Sequence, residues 1–133
     1  MKIIVTGAAG YIGSTFIYEA LKKGFHILGI DNFSNSDDRI IKYLYSRYPH
    51  QFTFNKLDIR NKNEVNKVFE MYKNSFCVMH FAALKSIPES ELKYDLYWKN
   101  NVVGTKNILE AMVVNGIKNL IFSSSAAIYG EQE

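Results

Sequence analysis

Three glycines near the start of the chain could bring its backbone close to a bound anion. Gly7, Gly10 and Gly13 follow a short apolar run and precede a segment of helical periodicity. Glycine lets a backbone turn sharply and approach a ligand, and the first N–H groups of a helix stabilise an anion. The spacing is G-x-x-G-x-x-G, which an ordinary tight turn could also show. Its place between a strand and a helix favours a phosphate-binding loop.

An acidic residue, Asp31, ends the second apolar run and points to the kind of ligand. A carboxylate about 20 residues beyond such a loop accepts hydrogen bonds from a ribose 2′-hydroxyl and repels a 2′-phosphate. The nearest arginine is Arg39. Alone, Asp31 could be a turn aspartate. Together with the glycine loop it predicts a dinucleotide site that prefers NAD to NADP.

Two further strand candidates end in residues that suit a nucleotide. Asp58 and Ile59 follow the third candidate, where a carboxylate could hold an adenine amino group beside an apolar packing surface. A helix-capping or turn acid is an equal alternative there. After the fourth candidate, Ala82 and Ala83 allow close approach of a ligand, and Lys85 offers a cation near phosphates.

Three other polar positions have both a functional and a structural explanation. Asn100 shares a helical face with small and apolar residues that must pack on the sheet, so its amide needs the cofactor or a structural partner. His80, at the end of a buried strand, is more typical of a core histidine than of a catalytic one. Serines at 123–125 follow the fifth strand candidate without an evident base, which favours hydrogen bonding over covalent catalysis.

The elements that would position these residues alternate along the chain. Short apolar strand candidates occupy residues 2–6, 26–30, 52–57, 77–81 and 120–123. Helical patterns occupy residues 11–23, about 37–47, 63–72 and about 92–114. This alternation predicts one α/β domain with a parallel sheet and right-handed crossovers, in which ligands bind at the carboxyl ends of the strands.

Composition narrows the class of protein. The 133 residues carry a formal net charge of +3 and are 47% hydrophobic, as in ordinary globular domains. The lysines and arginines form no block that would suggest nucleic-acid binding. No apolar run approaches the roughly 20 residues that cross a bilayer, and a strand beginning at Lys2 leaves no room for a signal peptide. Because Cys77 is the single cysteine, we expect a cytoplasmic protein without an internal disulfide.

Six segments, which span the chain in register, resemble the N-terminal part of the extended short-chain dehydrogenase/reductases. Within that family they are most similar to the UDP-glucose 4-epimerases. The segments are VTGAAGYIGS, DNFSNS, LDIRN, HFAALK, KNNVVGT and NLIFSSSAAIYG. The resemblance implies a Rossmann-type doubly wound parallel sheet of order 3-2-1-4-5 that stops after strand 5. Residues 1–133 would form an incomplete NAD-binding domain.

The resemblance also implies NAD as cofactor, a UDP-hexose as substrate, and a set of site residues. The implied cofactor-binding residues are Gly7, Gly10, Tyr11, Ile12, Gly13, Asp31, Asn32, Phe33, Ser34, Asn35, Ser36, Asp58, Ile59, Phe81, Ala82, Ala83, Leu84, Lys85 and Asn100. In the family, a tyrosine takes the proton of the sugar 4-hydroxyl while hydride passes from C4 to NAD⁺, and a lysine four residues later lowers the tyrosine pKa. Ser125 would support this step by hydrogen-bonding the reacting hydroxyl.

The Tyr-x-x-x-Lys pair of the family would lie beyond Glu133. Tyr129 is followed four residues later by Glu133, and the matching string Tyr18–Lys22 lies on the first helix, turned away from its apolar face. We therefore expect these 133 residues to bind NAD without catalysing epimerisation. We also expect either self-association through the edge of the fifth strand, which sedimentation would detect, or marginal stability in isolation. A non-catalytic nucleotide-binding module and part of another nucleotide-sugar dehydratase or reductase are the alternatives.

Overall fold

Five short parallel strands form one sheet in the computed structural model, which describes residues 1–125. The strands are β1 (Lys2–Thr6), β2 (His26–Asp31), β3 (Phe52–Lys56), β4 (Cys77–His80) and β5 (Asn119–Phe122). Their spatial order is β3-β2-β1-β4-β5, which confirms the predicted order.

The register brings the carboxyl ends of the strands to one edge of the sheet. In the central strand β1, Ile4 pairs with Leu28 of β2 and with Val78 of β4. At the end of β1, Thr6 pairs with Ile30 and with His80. Because all the pairs are parallel, the loops after the strands emerge side by side, which is where such sheets bind ligands.

Helices cover both faces of this sheet, as the doubly wound prediction requires. The helices are α1 (Tyr11–Lys22), α2 (Arg39–Arg47), α3 (Lys62–Met71), α4 (Ile87–Leu92), α5 (Tyr94–Tyr97) and α6 (Gly104–Val114). One core joins α3 and α6 to the sheet and includes Phe69 and Ile108, while the opposite core joins α1 and α2 and includes Ile17 and Leu44. Full burial of each such side chain contributes about 1.5–3 kcal/mol.

The long helix predicted from about residue 92 to 114 runs from Tyr94 to Val114, but it contains a π-helical segment and follows a separate short helix. The chain is already helical at Ile87, because Ser86 caps α4 and its hydroxyl accepts a hydrogen bond from the Glu89 N–H at 3.4 Å. Lys93, with φ −126° and ψ 46°, interrupts the helix. Between α5 and α6 the segment Trp98–Val103 is a π-helical turn, wider than an α-helix.

His80 is a core residue, as the sequence indicates. Its side chain is 1% exposed, and its Nδ1 lies 2.5 Å from the Thr6 hydroxyl. Its Nε2 lies 2.9 Å from the hydroxyl of Thr105, which itself donates to the Asn101 carbonyl. Thr105 must therefore accept from Nε2–H, so Nδ1 accepts from Thr6 and the imidazole is neutral. Burial lowers the His80 pKa from 6.5 to about 4.

We predict that this buried imidazole makes folding stability fall on acidification. Above pH 6.5 His80 is neutral in both states; as the pH falls towards 4, only the unfolded chain gains the proton. The free energy of unfolding should fall by about 3 kcal/mol from this residue across that window. Urea unfolding at several pH values would measure the slope. In His80→Gln the extra slope should vanish, and equal slopes for the two proteins would contradict the assignment.

Candidate functional site

A groove runs along the carboxyl edge of the sheet and receives residues from the ends of β1, β2, β3 and β4. Its volume is about 570 Å³, including the open solvent at its mouth. The lining residues are Gly7, Gly10, Ile30, Asp31, Asn32, Ser34, Asn35, Ser36, Leu57, Ile59, Phe81, Ala82, Ala83, Leu84 and Asn100. The structure thus brings together most of the residues that the sequence predicts.

Two glycines set the floor of this groove by permitting backbone contacts that no side chain would allow. Gly7 has φ +73°, and a Cβ there would lie 2.8 Å from the Ala82 nitrogen. A Cβ on Gly13 would lie 2.1 Å from the Gly7 carbonyl oxygen. The glycine loop is therefore packed against both the loop after β4 and the first turn of α1.

The first turn of α1 offers backbone N–H groups at one end of the groove. Gly10 precedes the helix in an extended conformation. No side chain among residues 1–125 caps the N-terminus of α1. Among the described residues, the first turn of α1 contains no acidic side chain. Tyr11 and Ile12 are exposed here, at 87% and 56%. Uncapped N–H groups beside glycine fit the phosphate group that the sequence predicts.

Asp31, the last residue of β2, ties the glycine loop to the loop that follows it. Its Oδ2 accepts from the backbone N–H of Ala9 at 3.0 Å. Its Oδ1 accepts from the Phe33 N–H at 2.8 Å and from the Ser36 hydroxyl at 3.2 Å. The carboxylate is thus held in one orientation beside the groove before any ligand arrives.

The side chain of Phe33 packs against the core on one face of the sheet. Its φ of +59° is unusual for a residue with a side chain. The ring packs against Phe54 with centroids 5.2 Å apart, and the Lys56 ammonium lies 5.8 Å from the ring centroid. This left-handed turn leaves the neighbouring residues 32 and 34–36 along the groove.

Asp58 lies just outside the groove lining, while its neighbour Ile59 lies within it. Arg60 pairs with the carboxylate at 2.6 Å, and Asn32 donates to it at 3.1 Å. The Arg60 side chain holds the pKa of Asp58 down at about 2, so this carboxylate is ionised in neutral solution. Sequence reasoning singled out Asp58 but missed the arginine two residues later.

The loop after β4 is held by Asn101, a residue that sequence reasoning missed. Its Oδ1 accepts from the Leu84 N–H at 2.9 Å, and its Nδ2 donates to the Leu84 carbonyl at 2.8 Å. Asn100 lines the groove, is 9% exposed, and donates to the Asn101 Oδ1 at 3.0 Å. Both explanations offered for Asn100, a structural partner and a place at the site, are therefore compatible with its position. The adjacent asparagines Asn100 and Asn101 on a predicted helix were the available signal.

Several predicted residues do not line the groove in the part of the chain that is described. They are Tyr11, Ile12, Gly13, Phe33, Asp58, Lys85 and Ser125. Lys85 and Ser125 are exposed. Tyr129 and Glu133 lie outside the described residues. Tyr18, of the matching Tyr-x-x-x-Lys string, packs against Tyr43 of α2 and against Tyr48, which follows α2, at centroid distances of 6.3 Å. None of these tyrosines lines the groove.

Residues 1–125 contain no group of three or more His, Cys, Asp or Glu side chains that could hold a metal ion. In the same residues, no helix is long and apolar enough to cross a membrane. The groove combines backbone N–H groups, the fixed carboxylate of Asp31 and apolar walls, a set of features that suits a nucleotide.

We predict that Asn101→Ala loosens the loop after β4. The substitution leaves the N–H and carbonyl of Leu84 without their side-chain partner, which should cost about 2 kcal/mol of unfolding free energy. Hydrogen exchange should show faster exchange at the Leu84 amide. Asn115→Ala is the matched control, because Asn115 donates only to Ala111 within its own helix end. Equal Leu84 exchange in the two variants would contradict the role of Asn101.

Comparison with known proteins finds sequence similarity along nearly the whole chain. The model of the NAD dependent epimerase/dehydratase family matches residues 3–133. A UDP-glucose 4-epimerase of Klebsiella pneumoniae is 40% identical over 132 residues, which cover 99% of this chain and 94% of that protein. UDP-glucose 4-epimerase 2 of Oryza sativa is 44% identical over 131 residues, 96% of this chain but only 32% of the rice protein.

Solved structures share this fold, and they too match this chain over only part of their own length. A UDP-glucose 4-epimerase of Stenotrophomonas maltophila, with bound NAD and formylated UDP-arabinopyranose, superposes with a TM-score of 0.91 at 34% identity. The match covers 100% of this chain and 39% of that one. The Bifidobacterium longum enzyme, in complex with NAD⁺ and UDP, gives 0.90 at 33% identity over 98% of this chain and 38% of that one. This chain belongs to the NAD dependent epimerase/dehydratase family.

Proposed function

We propose that this chain is the NAD-binding portion of a UDP-glucose 4-epimerase, which inverts the configuration at C4 of a UDP-hexose. The observation that carries the proposal is the groove at the carboxyl edge of the sheet, where the glycine loop, Asp31 and the loop after β4 meet. Family membership and the NAD-bound structural neighbours support it.

The residues of the groove suit successive parts of a dinucleotide. The glycine loop and the first turn of α1 would hold the pyrophosphate, and Asp31 with Ser36 would hold the adenosine ribose. Asp58 and Ile59 would receive the adenine, and Phe81–Lys85 with Asn100 would lie beside the other half. When bound, NAD⁺ supplies an acceptor for the hydride of the sugar C4. Ser125 would hydrogen-bond the reacting hydroxyl.

The choice between NAD and NADP depends on Asp31. Its carboxylate is held by the N–H groups of Ala9 and Phe33, so it has little freedom to move away from a 2′-phosphate. Like charges a few ångströms apart near a protein surface repel by several kcal/mol. Arg39, the nearest arginine along the chain, is paired with Asp37 at 2.6 Å.

We predict that the chain binds NAD⁺ at least about tenfold more tightly than NADP⁺. Asp31→Ser removes the charge and should bring the two dissociation constants within about threefold of each other. Asp38→Ser is the control, because Asp38 pairs with Lys42 on an exposed surface and should leave the ratio unchanged. Calorimetric titration gives both constants. Equal affinity of the unaltered chain for the two cofactors would argue against the assignment.

Catalysis by the 133 residues themselves is a separate expectation. Positioned acid–base groups typically contribute about 10²–10⁴-fold to such reactions, and orientation of the sugar adds another large factor. Among the described residues, the one Tyr-x-x-x-Lys string packs on α2 rather than on the groove. We predict no measurable interconversion of UDP-glucose and UDP-galactose at saturating NAD⁺, followed by chromatography. Turnover that is lost in Ser125→Ala would show that another residue acts as the base.

Self-association and a cytoplasmic location complete the proposal. On the edge strand β5, Ile121 and Phe122 are 55% and 53% exposed, which supports pairing with a second copy in the absence of other cover. Sedimentation of the 133-residue chain would show a concentration-dependent mass.

The single buried thiol, Cys77, suits a reducing compartment.

A further inference from the structure

The sheet has two edges, β3 and β5, and a strand edge presents N–H and C=O groups that a strand of another chain can pair with. Along a strand these groups alternate in direction from one residue to the next. Just after β3, the Leu57 N–H donates to the Asp31 carbonyl of β2 at 3.1 Å, so Leu57 faces the sheet. The residues that alternate with it, Phe52, Phe54 and Lys56, therefore direct their backbone groups away from β2.

The hydroxyl of Tyr45, a residue of α2, occupies the middle of this outward edge. The Phe54 N–H donates to the hydroxyl at 2.9 Å, and the hydroxyl donates to the Phe54 carbonyl oxygen at 3.5 Å. The Tyr45 ring packs against Phe52, with the ring centroids 5.2 Å apart. The Phe52 N–H donates to the Tyr48 carbonyl at 3.0 Å. Groups that an added strand would need on β3 are thus already bonded to α2 and to the residue that follows it.

The remaining outward residue of β3 and the whole of β5 differ in charge. Lys56 is the third outward residue of β3, and a lysine on an edge strand opposes pairing with another chain. The strand β5 consists of the uncharged run Asn119–Phe122, in which Ile121 is 55% exposed. Of the two edges, β5 is therefore the one that suits an added strand.

We propose that the Tyr45 hydroxyl closes the β3 edge to strand addition, so that copies of this chain pair only through β5 and assembly stops at two. This inference rests on the proposed self-association through β5. Two copies that pair β5 with β5 make an isologous contact, which uses both β5 edges. An open β3 edge would let β3 of one copy pair with β5 of the next, a head-to-tail contact that continues without closing.

Sedimentation over a range of concentrations tests where assembly stops. The mass of the unaltered chain should reach a plateau at two chains. Tyr45→Phe keeps the ring against Phe52 but removes the hydroxyl, so its average mass should rise past that plateau to at least about twice its value. Tyr43→Phe is the matched control, because Tyr43 is also a half-exposed tyrosine of α2 but its ring packs on Tyr18 of α1. It should keep the plateau.

Hydrogen exchange at the Phe54 amide tests the bond itself, at concentrations where sedimentation finds single chains. Exchange should be about five- to tenfold faster in Tyr45→Phe, as expected for the loss of one hydrogen bond. Tyr43→Phe should exchange at this amide as the unaltered chain does. Thermal unfolding midpoints of the two variants would verify that both retain the fold. Equal Phe54 exchange in all three proteins would overturn the bond and the closure that depends on it.

A second substitution identifies the edge that pairs with β3. Ile121→Lys, added to Tyr45→Phe, places a charge on the β5 edge, as Lys56 does on β3. The double variant should return to single chains. Association that persists in the double variant would overturn the head-to-tail contact.

The outcomes separate this inference from the proposal on which it rests. A plateau at two chains in Tyr45→Phe would overturn the closure of β3 by Tyr45, while pairing through β5 would stand. Single chains at every concentration in the unaltered protein would overturn pairing through β5. In that case, association of Tyr45→Phe alone would support the closure of β3, and single chains in Tyr45→Phe as well would overturn it.

Discussion

Close packing of the glycine loop is the constraint on which the rest of the site depends. The Gly7 backbone lies against the loop after β4, and the first turn of α1 lies against the Gly7 carbonyl, at distances that leave no space for a Cβ. These two contacts bring the helix N-terminus, the end of β1 and the end of β4 to the same place. The floor of the groove is therefore made of backbone, which can approach a ligand more closely than side chains can.

In the neighbouring loops, aspartate and asparagine side chains fix the backbone conformation. Asp31, Asp58 and Asn32 each accept a bond from the backbone N–H two residues later, at 2.8–2.9 Å. This local bond shapes the turn and at the same time restricts the orientation of the side chain. Because local and long-range bonds share the same oxygens, the polar groups at the groove are preorganised, which reduces the entropy that a ligand would lose on binding.

The five strands and the glycine loop could be predicted from local patterns in the sequence, whereas the strand order was predicted from the family resemblance. The sequence did not reveal the interruption at Lys93 or the π-helical turn at Trp98–Val103. Residues in and just after the π-helical turn bond to distant residues, Asn101 to Leu84 and Thr105 to His80, and such contacts leave no local pattern. The same limit applies to the site. Asp58 was recognised by its place after a strand, whereas its bond to Asn32, 26 residues earlier, exists only once β2 and β3 pair.

The π-helical turn also restricts how the length of this chain can change. An α-helix rotates by about 100° per residue, so the loss or gain of one residue between α5 and α6 would turn the two segments against each other by that angle. Ile108 and Ala111, both fully buried, would then leave the sheet if Asn100 kept its place at the groove. Insertions or deletions within Trp98–Val103 should therefore be rejected.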